Sequence, residues 1–149
     1  MTTTRLPTAF KEFLRLLAEH DVRYLIVGGY AVGYHGYPRA TGDMDVWVDA
    51  TPENAEQLVM ALREFGFDVP ELEPDLFLQP DRVVRMGHPP LRIELLTSVS
   101  GVDFSDCYSA REQDEIDETP VYFIGLEKLK ENKRASGRHK DLDDLENLP

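Results

Sequence analysis

Hydrophobic positions along the chain alternate between helical and extended periods. Phe10, Phe13, Leu14 and Leu17 recur at i, i+3, i+4 and i+7, which predicts an amphipathic helix over residues 8–20. Tyr24-Leu25-Ile26-Val27 is a short continuous apolar run, the pattern of a buried strand, and it ends at Gly28-Gly29. A short helix is expected around Tyr30 to Tyr37. From Asp43 to Val48 the period becomes two: Met44, Val46 and Val48 share one face, Asp43, Asp45 and Trp47 the other. Thr51-Pro52-Glu53 is a helix start, with a capping threonine and proline at the first helical position. The stripe Ala55, Leu58, Val59, Leu62 and Phe65 continues that helix, and Gly66 closes it.

The second half is patterned less evenly. Residues 68–80 hold three prolines and several acids and are expected to be loop with one helical turn. Arg82 to Met86 and Leu91 to Leu96 read as strands, the second entered through Pro89-Pro90. Residues 103–118 carry seven acids and one arginine, which predicts a short helix and an exposed acidic loop. Val121 to Ile124 is a further strand, and two terminal helices are expected over 126–135 and 139–148, around Gly137. The order αβαβα–ββ–αβαα predicts one α/β (α+β) domain over 1–149, a mixed β-sheet flanked by helices.

Composition narrows the function classes. The chain has 149 residues, 42% apolar and 30% charged, ordinary values for a globular protein. No apolar run has the length of a membrane span and no signal-peptide pattern opens the chain, so a cytoplasmic protein is expected. The single cysteine, Cys107, excludes an internal disulfide and a cysteine zinc site. Sixteen basic against 28 acidic residues give a net charge of −12, which argues against broad nonspecific nucleic-acid binding. Between Lys128 and Lys140, however, six basic residues stand against Glu131 alone. An anion site is expected there, with Lys133 and Lys140 as its candidates.

The candidate chemistry lies between residues 24 and 48. A buried strand runs into two glycines, where backbone can approach a ligand closely. About a dozen residues later a strand opens with Asp43-Met44-Asp45, placing both carboxylates on one face. Neighbouring acids in a domain interior are costly unless a cation sits between them. Oxygen-only ligands suit Mg²⁺ or Mn²⁺. Glu94 lies in a second strand pattern and shares a face with Arg92. If that strand adjoins the first, three carboxylates converge, a set able to hold metals for phosphoryl or nucleotidyl transfer. A salt bridge from Glu94 to Arg92 or Arg85 is the structural alternative. Arg39 is suited to a phosphate or to one of the acids. His35 reads as a packed helix residue, Trp47 as core or a stacking surface, and Cys107, in an acidic stretch, as a poor nucleophile.

Gly28-Gly29, Asp43-x-Asp45 and the later strand acid together resemble the DNA polymerase beta-type nucleotidyltransferase superfamily. More closely, the chain resembles the small bacterial nucleotidyltransferases grouped with abortive-infection type E and MenT-like toxins. That likeness runs from about Phe10 to Leu148 and includes the C-terminal run from Lys133 to Leu145. The resemblance implies a minimal nucleotidyltransferase domain that moves NMP from an NTP such as ATP onto a hydroxyl of an RNA (tRNA) or protein acceptor. It implies metal ligation by Asp43, Asp45 and Glu94, and nucleotide contacts from Gly28 and Gly29. Arg39, Thr41, Lys133 and Lys140 are the further candidates for holding the nucleotide. It also suggests the toxin half of a toxin–antitoxin pair, with a cognate antitoxin as partner. A monomer or small homo-oligomer is expected. The alternative reading is an inactive nucleotide- or protein-binding module on the same fold.

Overall fold

The computed structural model describes residues 6–38, 42–88 and 91–149. Helix α1 (Thr8–Glu19) buries Phe10, Phe13, Leu14, Leu16 and Leu17, the stripe its spacing predicts. Strand β1 (Tyr24–Val27) is buried throughout and passes directly into α2 (Gly28–Tyr34). Strand β2 (Asp43–Val48) leads to α3 (Pro52–Phe65), whose N-cap Thr51 accepts a hydrogen bond from the Asn54 amide. Helix α3 ends at Gly66, which takes a φ of 106°.

A 3-10 turn at Pro74–Phe77 buries Phe77, and the hairpin β3 (Val83–His88) and β4 (Leu91–Leu96) follows. Next come α4 (Phe104–Ser109), β5 (Glu112–Ile116) and β6 (Thr119–Phe123). Helices α5 (Leu126–Ser136) and α6 (His139–Asn147) complete the described chain.

The six strands form one mixed sheet in the order β3-β4-β2-β1-β6-β5. β1 runs antiparallel to β2 and parallel to β6, while β2 and β4 are parallel. Alternation assigns the two faces. Met44, Val46 and Val48 join Tyr24, Ile26, Ile93 and Leu95 under α1 and α3. Leu25, Val27 and Trp47 face the other way, into a second cluster with Cys107 of α4 and Leu129 of α5. Asp43, Asp45, Arg92 and Glu94 alternate onto this second face.

Two elements differ from the sequence reading. Helix α2 begins at Gly28 rather than near Tyr30, because Gly28 adopts a φ of +66° and turns the chain at the strand end. Strand β5 replaces the expected acidic loop. Its segment, Glu112-Gln113-Asp114-Glu115-Ile116, has one apolar residue and pairs antiparallel with β6 as an edge strand. An edge strand with charged side chains needs no alternating apolar face, and its acids discourage edge-to-edge pairing.

Asn54 ties the elements beneath the site together. Its side chain accepts from the Arg23 amide at 2.7 Å and donates to the carbonyls of Arg23 and Asp49 at 3.0 and 2.9 Å. One buried amide therefore joins the start of β1, the end of β2 and the first turn of α3.

Candidate active site

The site is assembled by strand register. Val27, the last residue of β1, lies opposite Asp45 on β2. The chain then turns through Gly28, and a Cβ at that position would lie 2.2 Å from Asp45 Oδ2. The Asp45 carboxylate thus packs against the glycine backbone, with Gly29 in the same first turn of α2. On the other side of β2, the parallel pairing sets Asp43 opposite Arg92 and Asp45 opposite Glu94. The three expected carboxylates do come together, on one face of adjoining strands.

A guanidinium lies among them. Arg92 Nη2 is 2.8 Å from Asp43 Oδ2 and 3.5 Å from Glu94 Oε1. Arg85, on β3, adds a contact of 3.3 Å to the same Glu94 oxygen. Asp45 is treated differently. Among the described residues no Lys, Arg or His nitrogen lies within salt-bridge reach of it. Burial, then the neighbouring charges of Glu94 and Asp43, push its carboxyl up to about 6, against the pull of Lys140 and Lys133. Tyr30, on the first turn of α2, senses the same field: burial and then Asp43 raise its hydroxyl above the ordinary value.

The donor set suits a hard divalent cation: all oxygen, three carboxylates, and one of them, Asp45, with no cationic side chain in salt-bridge reach among the described residues. In the arrangement seen, however, no group of three or more His, Cys, Asp and Glu side chains among the described residues is disposed to hold a metal ion. In that arrangement the Arg92 guanidinium lies against one oxygen each of Asp43 and Glu94.

The basic C-terminal run is partly turned inward, onto the acids of α6. Lys133 was a candidate to hold phosphate, but the structure buries it at 5% side-chain exposure beside two carboxylates at 0%. Its Nζ lies 3.1 Å from Asp141 Oδ1 and 2.9 Å from Asp144 Oδ2. Arg138, the N-cap of α6, closes the cluster through Nε at 2.8 Å from Asp141 Oδ2. Burial opposes ionisation of Asp141, yet hydrogen bonds from Arg138, Ser136 and Lys133 outweigh it and hold the carboxyl well below the usual range. Lys140 is exposed, and its charge acts on Asp45. Arg39 and Thr41 lie outside the described residues.

Other candidates resolve plainly. Trp47 is core, 2% exposed and edge-on to Phe104 at 5.1 Å. The ring Nε2 of His35 pairs with the Ile124 carbonyl at 2.7 Å, a packing role. Cys107 is buried, which pushes its thiol up to about 11. Arg92 is the site residue that the sequence reading left as a salt-bridge partner. Its signal was present: it stands two before Glu94 on the same strand, hence on the same face.

No family model matches the chain, and no curated protein matches it. Among solved structures it is similar to a proposed nucleotidyltransferase from Thermotoga maritima. The TM-score is 0.61 at 14% identity, over 92% of this chain and 88% of the other. The chain has a nucleotidyltransferase-like fold. Within that fold the acids of β2 and β4 and the glycine turn after β1 fall on one sheet face. Among the described residues no helix is long and apolar enough to cross a membrane.

Proposed function

We propose that the protein is a Mg²⁺-dependent nucleotidyltransferase that moves NMP from an NTP to a hydroxyl of an RNA or protein acceptor. The observation that carries the reading is the parallel β2–β4 register, which sets Asp45 beside Glu94 and Asp43 two residues away on the same face. The nucleotidyltransferase-like fold supports the same reaction class. A bound Mg²⁺ or Mn²⁺ would be held by Asp43 and Asp45, with Glu94 as third carboxylate, and would stabilise charge on the transferring phosphate.

The chain's own residues do the rest. Glu94 orients the acceptor hydroxyl and takes its proton as that oxygen bonds to the α-phosphorus. The bond from the α-phosphorus to its bridging oxygen breaks, and pyrophosphate leaves. Gly28 lets the ligand and Asp45 share close quarters with backbone. Lys140 supplies positive charge toward the polyphosphate. The toxin role, and a cognate antitoxin, rest on the sequence resemblance to the abortive-infection type E and MenT-like group. A tRNA acceptor fits a contact confined to the basic C-terminal run, and the acidic remainder suits a protein acceptor.

One observation favours the second reading, a nucleotide- or protein-binding module without turnover: Arg92 already pairs with Asp43 and Glu94. Calorimetry with ATP, CTP, GTP and UTP in Mg²⁺, on wild type and on Asp43→Ala/Asp45→Ala, separates the cases when paired with pyrophosphate release. Metal-dependent binding that is lost in the double variant, with pyrophosphate release on acceptor addition, is the expected result. Binding without release would leave the module reading.

A further inference from the structure

The acid face contains its own monovalent counter-cation, and its placement is specific. Arg92 sits opposite Asp43 in the β2–β4 register and reaches Glu94 on its own strand, so one guanidinium spans two of the three carboxylates. Its Nη2 does that work. Its Nε is buried and has no hydrogen-bond partner among the described residues. A buried guanidinium donor without an acceptor is an unmet demand for an anionic or carbonyl oxygen. The side chain as a whole is 30% exposed.

A divalent cation and Arg92 cannot both use Asp43 Oδ2, because like charges at that separation repel strongly. A nucleoside triphosphate brings the acceptor that Arg92 lacks, since its planar fork matches phosphate oxygens. We infer that Arg92 is an exchangeable occupant of the acid face: it holds Asp43 and Glu94 in the free protein, gives them up to a divalent cation, and then grips the polyphosphate. This inference rests on the nucleotidyl-transfer reading for the identity of the ligand. Metal competition rests on the carboxylate contacts of Arg92 and on the same reading for the cation. In these terms a bare metal ion is disfavoured at the site, and metal and nucleotide bind together better than either binds alone.

The test begins with Mn²⁺ alone, titrated into wild type, Arg92→Gln and Arg85→Gln and followed by the paramagnetic resonance of free Mn²⁺. Arg85 also touches Glu94, but from the exposed side, so it controls for simple loss of a positive charge. The expected result is that Arg92→Gln binds Mn²⁺ about tenfold tighter than wild type, and Arg85→Gln changes by less than about threefold. Equal or weaker Mn²⁺ binding by Arg92→Gln, or the same gain in both variants, overturns the inference.

Calorimetry with Mg²⁺ and NTP forms the second arm. Here Arg92→Gln is expected to bind about tenfold more weakly than wild type, the opposite sign from the first arm. Undiminished NTP binding overturns the phosphate half. Should Arg92→Gln fail to fold by circular dichroism, Arg92→Met carries both arms, because it too removes the competing charge and the phosphate donors while keeping an unbranched stem. If wild type binds Mg²⁺–NTP and the Mn²⁺ gain is absent, the inference fails and the proposed function stands. If the Mn²⁺ gain is present and wild type binds no NTP, competition stands, while the phosphate half and the proposed function fall.

Discussion

Asp45 Oδ2 occupies the space into which a side chain on Gly28 would begin, at 2.2 Å from the position of a Cβ. The contact joins the turn after β1 to the acid of β2, so the two signals that stood apart in sequence are one feature in space. Gly28→Ala is expected to swing the Asp45 carboxylate aside and to place alanine in the left-handed region, at a cost of about 1–2 kcal/mol. Calorimetry should show Mg²⁺–NTP binding weakened at least about tenfold, while urea denaturation registers only that modest loss. Unchanged nucleotide affinity would show that Asp45 is not needed in this pose.

The raised pKa of Asp45 fixes a pH dependence. Its folded value is about 6 against an ordinary 3.8, so the folded state holds its proton more tightly than the unfolded chain. Stability from this group is present in full below the ordinary value and declines as pH rises toward the folded value. Asp45→Asn removes the cost of ionisation. It should therefore raise metal-free stability by on the order of 2 kcal/mol above neutral pH and by little near pH 4. Urea melts across that range check both the size and the sign. A variant that destabilises at high pH would contradict the burial argument.

Lys133 bridges two carboxylates that have no exposure at all. Lys133→Met leaves both in place without their shared ammonium, and a loss of about 3 kcal/mol or more is expected. Adding Asp141→Asn and Asp144→Asn should restore part of it, since the stranded charges are then gone. The comparison is made by chemical denaturation of the single and triple variants. A single variant as stable as wild type would mean that the cluster is not an ion pair in solution.

Asn54 satisfies three backbone groups at once, from Arg23 and Asp49. Asn54→Ala strands them in a buried position, and a loss of about 2–3 kcal/mol is expected. Because the affected backbone leads into β1 and out of β2, amide exchange at Tyr24 to Val27 should accelerate along with the drop in stability.

Much of the fold was legible because its parts are patterned locally. The stripe of α1, the Thr51 cap and Gly66 stop of α3, and the alternation of β2 each depend on neighbours in sequence. The face assignment of Asp43, Asp45 and Trp47 followed from period two alone. Strand β5 was illegible for a physical reason: it lies at the sheet edge, its side chains mostly face water, and its hydrogen bonds come from β6 rather than from its own composition. The early start of α2 turns on a single glycine φ, which no hydrophobic pattern encodes.

The site divides in the same way. Carboxylate types and spacing announced Asp43 and Asp45, and the approach of Glu94 needed only that β4 lie beside β2. The engagement of Lys133 with Asp141 and Asp144 depends on how α5 and α6 pack, so a basic run in sequence could not separate a buried lysine from an exposed one. The ion pairs of Glu94 with Arg92 and Arg85 were among the sequence readings, whereas the contact of Arg92 with Asp43 was not, because pairing with a cross-strand acid is a property of register, not of either strand alone.

That register has a consequence for how the protein acquires its chemistry. Asp45 and Glu94 are neighbours in the sheet, yet α3, the 3-10 turn and β3 lie between them along the chain. Contacts of such long sequence separation close late and slowly. A chain emerging from synthesis carries its paired aspartates well before the strand that brings both the third acid and the guanidinium. The full acid face therefore comes into being only once the sheet has closed around it, and a chain truncated before β4 holds Asp43 and Asp45 without Glu94 or the Arg92 guanidinium.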